Sequence, residues 1–427
     1  MTLPVSPTGR CSTGGCAPCT SEREDNGAGE AQVSDAAAKW GSSGLAYLTG
    51  LPDGPPDFSR AGVLIRAEQV AAAVGARLGV PVAAPTLLAG RAALLGLTRR
   101  GRIAAGGSTW LLATRDGWCA ATLSRPDDIA AVPALLEVDD ITGDPWPMVQ
   151  RWAATRVTSA ITDRAELLDI PAAGLGEVSA VAPRARRNSA PAGPREFADL
   201  LVADLSSMWA GPLCGQLLAR AGATVVKVES PRRPDGTRLG NREFFDWMNN
   251  EKLSYCLDFD TQADELRALL TVADIVIEGS RPAALARRRL GPQHIAPRSG
   301  RIWLRITGYG PESTRPAFGD DAAVAGGLVG ASVQGPVFCG DAIADPLTGL
   351  EATAAVAESL LRGGGELIDV TMAGTAGAYA ALPVAELAEG WPATVPQPPP
   401  SQRRAADLGA DNDVVRRTVS ERHLLPC

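Results

Sequence analysis

Residues 200–229, LLVADLSSMWAGPLCGQLLARAGATVVKVE, predict a strand, a turn, a helix and a second strand in direct succession. A mostly apolar run that ends at Asp204 is typical of a buried strand. Leu213, Leu217 and Leu218 then share one face of a helix that Gly222 ends, and a β-branched run follows. Such a unit offers backbone N–H groups at a helix N-terminus, where the phosphates of nucleotide-like ligands bind readily.

The alternation of strands and helices continues well beyond this unit. Strands are predicted at 200–205, 223–229, 254–259, 273–279, 301–307 and 366–372, and helices at 212–221, 263–272, 282–290 and 347–362. This order is typical of an α/β fold with a doubly wound, Rossmann-like parallel sheet, which binds ligands at the carboxyl ends of its strands.

The first half of the chain gives a softer pattern. Alanine-rich helices are predicted at 65–79 and 86–97, a strand-like patch at 108–123, and helical segments near 125–137, 147–158 and 161–168. Three segments have the composition of disordered or connecting chain: residues 1–35, 181–195 and 391–404.

Composition and charge exclude several classes of protein. A net charge of −7 argues against nucleic acid as a partner, because there is no basic surplus to neutralise phosphates. No apolar run reaches the roughly 18 residues that a membrane span needs, and the first residues lack the order of a signal peptide. Eight cysteines over 427 residues are typical of reduced thiols, so we expect a cytoplasmic protein.

Scarcity of histidine narrows the possible chemistry. His294 lies in a loop-like segment and His423 in a polar tail, positions that disfavour a catalytic triad or a histidine-rich metal site. Cys11, Cys16 and Cys19 lack a nearby fourth ligand, so we expect no structural metal there. Acid–base or nucleophilic chemistry is therefore assigned to carboxylates.

Several motifs carry a family resemblance. DLSSMWAGPLCGQLLARAGATVVKVESPRRPDGTR (204–238), together with segments 244–259, 273–285 and 301–311, resembles the opening of a class III CoA-transferase of the CaiB–BaiF family. GDAIADPLTG (340–349) is similar to the catalytic segment of that family, whose aspartate matches Asp345.

The first half resembles a different part of the same fold. Segment 101–180 is similar to the smaller domain of the family, which follows the nucleotide-binding domain in ordinary members and here precedes it. The resemblance therefore implies that the halves stand in a permuted order. The domains expected are a disordered tail at 1–35, a helical segment and the smaller α+β domain at 38–180, a linker at 181–195, the Rossmann-like CoA-binding and catalytic domain at 196–385, and an extended tail at 386–427.

The resemblance implies a function. It implies that CoA moves between an acyl-CoA and a carboxylic acid, with no permanently bound cofactor and no metal, in a homodimer. Asp345 would attack the thioester to give an anhydride, and CoA would then form an aspartyl-CoA thioester. A plain alternative for Asp345 is a helix N-cap before Pro346, and Asp341 is a competing nucleophile. Backbone donors for the oxyanion are expected near Gly340 and Gly349.

The resemblance also implies a CoA site. The residues that match the adenine pocket are Met208, Trp209 and Ala210. The arginines that match positions suited to the phosphates are Arg232, Arg238 and Arg289, with Arg233 and Arg242 as further cations. The alternatives are core packing for Trp209 and a solvated surface for the arginines. Arg99, Arg100 and Arg102 are candidates to bind the acid.

Other functions compete with transfer. Racemisation of 2-methylacyl-CoA is disfavoured because Asp320 stands where racemases carry a histidine. An NAD-dependent oxidoreductase is disfavoured because the loop SSMWAGPLCG does not match GxGxxG, although Glu229 ends the second strand. A non-catalytic acyl-CoA-binding protein or partner subunit is the main alternative.

Overall fold

The computed structural model describes residues 34–279, 283–385 and 390–424. The tail predicted to be disordered is almost wholly outside these ranges, and so are Cys11, Cys16 and Cys19. Within them, no helix combines the length and apolarity required to cross a membrane.

The chain begins with helices. Helix α1 covers 34–42, and α2 (Leu45–Leu48), α3 (Ala61–Leu78) and α4 (Ala84–Leu95) follow. The two long helices confirm the predictions at 65–79 and 86–97. Gly79 is the C-cap residue of α3 and Gly96 that of α4, both in the left-handed conformation that glycine adopts without strain.

A small α+β unit comes next. Its elements are β1 (Thr109–Ala113), β2 (Trp118–Thr122), α5 (Pro126–Ala130), α6 (Val132–Leu136), α7 (Trp146–Ala153), α8 (Thr158–Leu167) and β3 (Ala172–Gly174). The strands form an antiparallel sheet in the order β1-β2-β3. Leu112 and Cys119 on the sheet pack with Val149 and Ile161 on the helices, which gives this unit a core of its own.

A larger unit follows and ends the chain. Its elements are β4 (Arg184–Arg187), β5 (Leu201–Asp204), α9 (Ala210–Arg220), β6 (Thr224–Glu229), α10 (Arg242–Asn249), β7 (Leu253–Cys256), α11 (Ala263–Val272), β8 (Ile275–Glu278), α12 (Ala283–Arg287), β9 (Ile302–Thr307), α13 (Gly319–Ala325), β10 (Val329–Ser332), β11 (Gly335–Phe338), α14 (Ala344–Leu361), β12 (Glu366–Thr371), α15 (Met372–Ala380) and α16 (Asn412–Leu424).

Seven strands of the described chain form one sheet in the order β4-β12-β9-β8-β5-β6-β7. All neighbours pair in parallel except the edge strand β4. Strand β5 pairs with β6 on one side and β8 on the other, so the strand order reverses there. This topology confirms the doubly wound α/β fold and places the switch point at the loop after Asp204.

Helices cover both faces of this sheet because side chains alternate along each strand. From β5, Val202 enters a core with Leu213 and Leu347, and Leu201 enters a second core with Leu269 and Trp303. The first core also contains residues of α2, α3 and α4, such as Leu64. The helices of 34–95 therefore pack with the large sheet, and the expected unit 38–180 divides near residue 100.

Two segments expected to be irregular contain regular structure. Within the predicted linker 181–195, residues Arg184–Arg187 form β4, with all four residues exposed. Within the predicted extended tail 386–427, Asn412–Leu424 form α16, which buries Val415 and Val419 against the second core. Both predictions were wrong because short or polar elements show little apolar periodicity.

The opposite edge of the sheet is closed by side chains. Asn412 accepts a hydrogen bond from the Cys256 backbone N–H and donates one to the Cys256 carbonyl, both at 2.9 Å. Asp411 accepts one from the backbone N–H of Ser254 at 2.8 Å. The edge of β7 is therefore paired as it would be by another strand.

Candidate active site

Asp345 lies in the first turn of α14. The helix begins at Ala344 and its N-cap residue is Ile343, so Asp345 is already inside the helix. The alternative in which Asp345 caps the helix is therefore wrong. Its carboxylate therefore does not cap α14, and it lies at the carboxyl end of the sheet.

Backbone amides at two other helix N-termini face this carboxylate. Gly319 begins α13 and Ala210 begins α9, and the N–H of each lowers the pKa of Asp345. Backbone N–H groups at helix N-termini carry partial positive charge and stabilise anions. The amides that face Asp345 therefore belong to Ala210 and Gly319, whereas the sequence predicted backbone donors near Gly340 and Gly349.

Glycine at 319 is required by packing. A Cβ on this residue would overlap Oδ2 of Asp345 and the carbonyl of Ala342. Gly349 has a related role one turn further along α14, where a Cβ would lie 2.6 Å from the Ala210 carbonyl. These two glycines let three helix ends approach one carboxylate.

Two more carboxylates lie beside Asp345. Asp320 accepts a hydrogen bond from the Ala342 backbone N–H at 3.0 Å, and Asp341 is 1% exposed. Burial, together with the negative charge of Asp341, raises the pKa of both Asp345 and Asp320 to about 7. Ionising all three at once is unfavourable, so a proton is readily held in this group, which we call the aspartate cluster.

Arg91 is the cation of the aspartate cluster. Its Nη1 donates to both carboxylate oxygens of Asp341, at 2.7 and 2.8 Å, and its charge lowers the pKa of Asp345 and Asp320. The guanidinium carbon lies 5.6 Å from the ring centroids of both Trp209 and Phe244. These contacts fix its plane through cation–π attraction.

Backbone strain flanks the aspartate cluster on both sides. Met208 (φ 72°) and Ala342 (φ 44°) adopt the left-handed conformation, which is costly for residues other than glycine. The Met208 N–H donates to both oxygens of Asp235 at 3.2 Å, and Asp235 is held by the buried Lys227 at 2.7 Å. This buried ion pair fixes the loop that leads into α9.

The three residues predicted to bind adenine differ in their exposure to solvent. The Met208 side chain is 39% exposed at this edge. Trp209 is 2% exposed and packs in the core beside Phe244, with ring centroids 5.3 Å apart. A buried ring offers no surface to adenine, so the core alternative for Trp209 is correct. Ala210 is also buried and directs its N–H to Asp345.

Some of the arginines predicted to bind phosphate are held in ion pairs within the fold. Arg238 forms a bidentate ion pair with Glu229, stacks on Phe245 and is 10% exposed, so its prediction as a phosphate ligand was wrong. The same pairing occupies Glu229, the residue noted for the oxidoreductase alternative. Arg242 is likewise engaged, with Asp246 at 2.9 Å.

Arg232 and Arg289 remain exposed, and one carboxylate joins the two segments that carry them. Arg232 is 65% exposed and pairs with Asp258 and Asp260, while Arg288 pairs with Asp260 at 2.6 Å. Asp260 thus joins the loop after β6 to the end of α12, where Arg289 is exposed. These residues form a basic patch at the carboxyl edge of the sheet, which includes Arg233.

Two of the arginines proposed to bind the acid have structural roles. Arg99 donates to the carbonyls of Leu51 and Gly54, both at 2.9 Å. Arg102 donates to the Gln334 carbonyl and lies 4.6 Å from the centroid of Trp118. Arg100 is exposed and lines a cleft of about 260 Å³ with Trp110 and Gln150.

Sequence reasoning missed Arg91 and the grouping of Asp320 with Asp345. Arg91 is the one charged residue in the mostly apolar sequence of α4, which was an available signal. Nothing in the sequence paired it with an aspartate 250 positions away. His294 and His423 lie outside the aspartate cluster, and no group of three or more potential ligands in the described ranges has the arrangement of a metal site.

Comparison with known proteins places this geometry in context. The family model described as CoA-transferase family III matches residues 197–410, half of the chain. The succinyl-CoA–D-citramalate CoA-transferase of Chloroflexus aurantiacus is 30% identical over 42% of this chain and 49% of its own. The succinate–glutarate CoA-transferase of Agrobacterium fabrum is 29% identical over 40% and 49%.

A solved structure of a CaiB/BaiF family protein from Brucella suis is 28% identical, with a TM-score of 0.40 over 44% of this chain and 56% of that one. The chain spans about half the length of the curated relatives that it matches.

Proposed function

The chain belongs to CoA-transferase family III, and from this premise we propose that it moves CoA between an acyl-CoA thioester and a carboxylic acid, with Asp345 as the nucleophile. The observation that supports this best is the setting of Asp345. Its buried carboxylate faces two helix N-termini, which suits a group that must carry charge before attack and stabilise an oxyanion after it.

The reaction follows from this geometry. A carboxylate oxygen of Asp345 attacks the thioester carbonyl, the C–S bond breaks, and CoA thiolate leaves an aspartyl anhydride. The thiolate then attacks the aspartyl carbonyl, which releases the donor acid and forms an aspartyl-CoA thioester. The acceptor acid reverses these steps. The Gly319 and Ala210 amides stabilise the oxyanion that forms on the aspartyl carbon when the thiolate attacks it, and no net proton transfer is needed.

CoA itself is proposed to bind along the carboxyl edge of the large sheet. Met208 lies at the switch-point loop, and Arg232, Arg233 and Arg289 supply positive charge for the phosphates. The homodimer and the cytoplasmic location stay predictions, and so does the permuted order of the halves.

Covalent trapping tests the proposal. We expect incubation with a panel of acyl-CoAs to leave an adduct that mass spectrometry maps to Asp345, and hydroxylamine to convert that residue to a hydroxamate. Asp345→Asn should abolish the adduct. Asp369→Asn, which changes a carboxylate paired with Arg305 on the large sheet, is the matched control and should retain it.

The main alternative makes the opposite prediction. If CoA binds measurably and no acyl-CoA in the panel modifies Asp345, the chain is a binding protein or partner subunit and transfer is excluded.

A further inference from the structure

Arg91 uses only part of its hydrogen-bonding capacity. Both of its bonds to Asp341 come from Nη1. Nε and Nη2 donate no hydrogen bond to any residue in the described ranges. The Arg91 side chain is 26% exposed, whereas Asp341 is 1% exposed, so Arg91 is the member of this ion pair that is partly open to solvent. A guanidinium edge with two parallel N–H donors matches the two oxygens of a carboxylate.

The surroundings of this edge leave room for a ligand. Gly106 lies beside it, with its Cβ position 4.0 Å from Nη2 of Arg91. Gly107 follows in the left-handed conformation at φ 87°, and its Cβ position lies 2.9 Å from Nη1 of Arg100. Trp209 and Phe244 hold the plane of the guanidinium, which leaves the free edge already oriented.

Charge decides when an acid can bind there. While Asp345 is ionised, the aspartate cluster has more negative than positive charge and repels a further anion. An acylated Asp345 is neutral, and this repulsion falls. In the proposed reaction, the free acid enters and leaves while Asp345 is the CoA thioester, which is the neutral state.

We propose that Arg91 binds the carboxylate of the acid substrate through Nε and Nη2, and that it does so when Asp345 is acylated. This inference rests on the proposed function and names the residue that receives the acid. One oxygen of the held carboxylate attacks the aspartyl carbonyl; the C–O bond forms as the C–S bond breaks, and the electron pair leaves with CoA thiolate. Asp341 accepts both bonds from Nη1 and leaves Nε and Nη2 to the acid.

Binding of succinate, measured by calorimetry at pH 8, tests this directly. Asp345→Asn supplies a neutral group at position 345 and should bind succinate about tenfold more tightly than the unaltered chain. Adding Arg91→Lys to Asp345→Asn keeps the positive charge beside Asp341 and removes the two parallel N–H donors of the guanidinium. This second substitution should weaken succinate binding about tenfold. Arg77→Lys, which alters a surface ion pair with Glu358, is the matched control and should change nothing.

Three results would overturn the assignment: unchanged succinate binding in Arg91→Lys, absence of binding to Asp345→Asn, or loss of binding in Arg100→Lys instead. If Arg91→Lys fails to fold, Asp341→Asn in the Asp345→Asn background decides. Removal of that charge should tighten succinate binding at least threefold, and an unchanged or weaker affinity contradicts the proposal.

The titration involves no transfer, so the two proposals fail separately. If succinate binding depends on Arg91 and no acyl adduct forms on Asp345, the carboxylate site is supported and the transferase function is contradicted. If an adduct forms on Asp345 and succinate binding does not depend on Arg91, the transferase function is supported and the carboxylate site at Arg91 is contradicted.

Discussion

Asp345 is subject to two opposing effects at the scale of a single residue. Burial and the charge of Asp341 favour its protonated form, while Arg91 and the amides of Gly319 and Ala210 favour the carboxylate. The balance leaves the pKa at about 7, so the proposed nucleophile is charged in part of the population near neutral pH.

Gly319→Ala tests how closely the carboxylate is held. The new Cβ overlaps Oδ2 of Asp345, so we expect the carboxylate to move and kcat for acyl transfer to fall on the order of 100-fold. The affinity for CoA, measured by calorimetry, should change little because the basic patch is untouched.

Gly62→Ala is the control for this substitution. Gly62 is inside α3 and the nearest atom to its Cβ position is 3.8 Å away, so activity and folding should both be preserved. Full activity in Gly319→Ala would contradict the close approach of α13 to Asp345.

The rate of acylation should depend on pH with a defined sign. Attack needs the carboxylate form, and the pKa of Asp345 is raised to about 7, so kcat/KM should rise with pH and level off above this value. Asp341→Asn removes a charge that raises this pKa, so the acid limb should move to lower pH. Asp413→Asn, on the exposed face of α16, should leave the profile in place.

A profile in Asp341→Asn that stays in place or moves to higher pH would show that Asp341 does not act on Asp345. Because Asp320 also has its pKa raised to about 7, the limb reports the aspartate cluster rather than one residue.

Residue roles were predictable only where a local pattern exists. The segment around Asp345 provided such a pattern, and it indicated the residue that we propose as the nucleophile. Arg91 joins the aspartate cluster through the fold alone, since α4 and the loop before α14 meet across 250 positions. Likewise, Glu229 removes Arg238 from the predicted CoA site, and no spacing rule indicates that pairing.

At the scale of elements, apolar periodicity predicted what is buried. Strands β5 and β6 and helix α11 match their predicted segments because each buries a regular apolar set. Strand β4 was missed because its sequence RARR is exposed throughout. Helix α16 was missed because it buries only Val415 and Val419, four residues apart on a polar helix.

Asn412→Ala tests the closure of the β7 edge. The amide of Asn412 makes two hydrogen bonds to Cys256, and without it two backbone groups of the edge lose their partners. We expect the free energy of unfolding to fall by about 1–3 kcal/mol, measured by urea denaturation. Light scattering should also show self-association through the open edge.

Asn188→Ala is the matched control, since Asn188 is exposed and follows the other edge strand. It should change stability by less than about 0.5 kcal/mol. Equal stability of the two variants would mean that Asn412 adds nothing to the sheet.

At the scale of the whole molecule, the sequence predicted two units but placed their boundary wrongly. Periodicity shows that α3 and α4 have an apolar face and does not show which surface covers that face. The structure packs α3 against α14, so the first helices belong to the large core and the small unit lies between two parts of it.

This arrangement has a consequence for synthesis on the ribosome. Helix α4 ends at Leu95 and α14 begins at Ala344, so their shared core cannot close until roughly 250 further residues have been translated. At a translation rate of about 10 residues per second, the apolar faces of α3 and α4 stay without their final packing partner for tens of seconds. A nascent chain of this kind depends on chaperones, and slower elongation lengthens the interval in which it can aggregate.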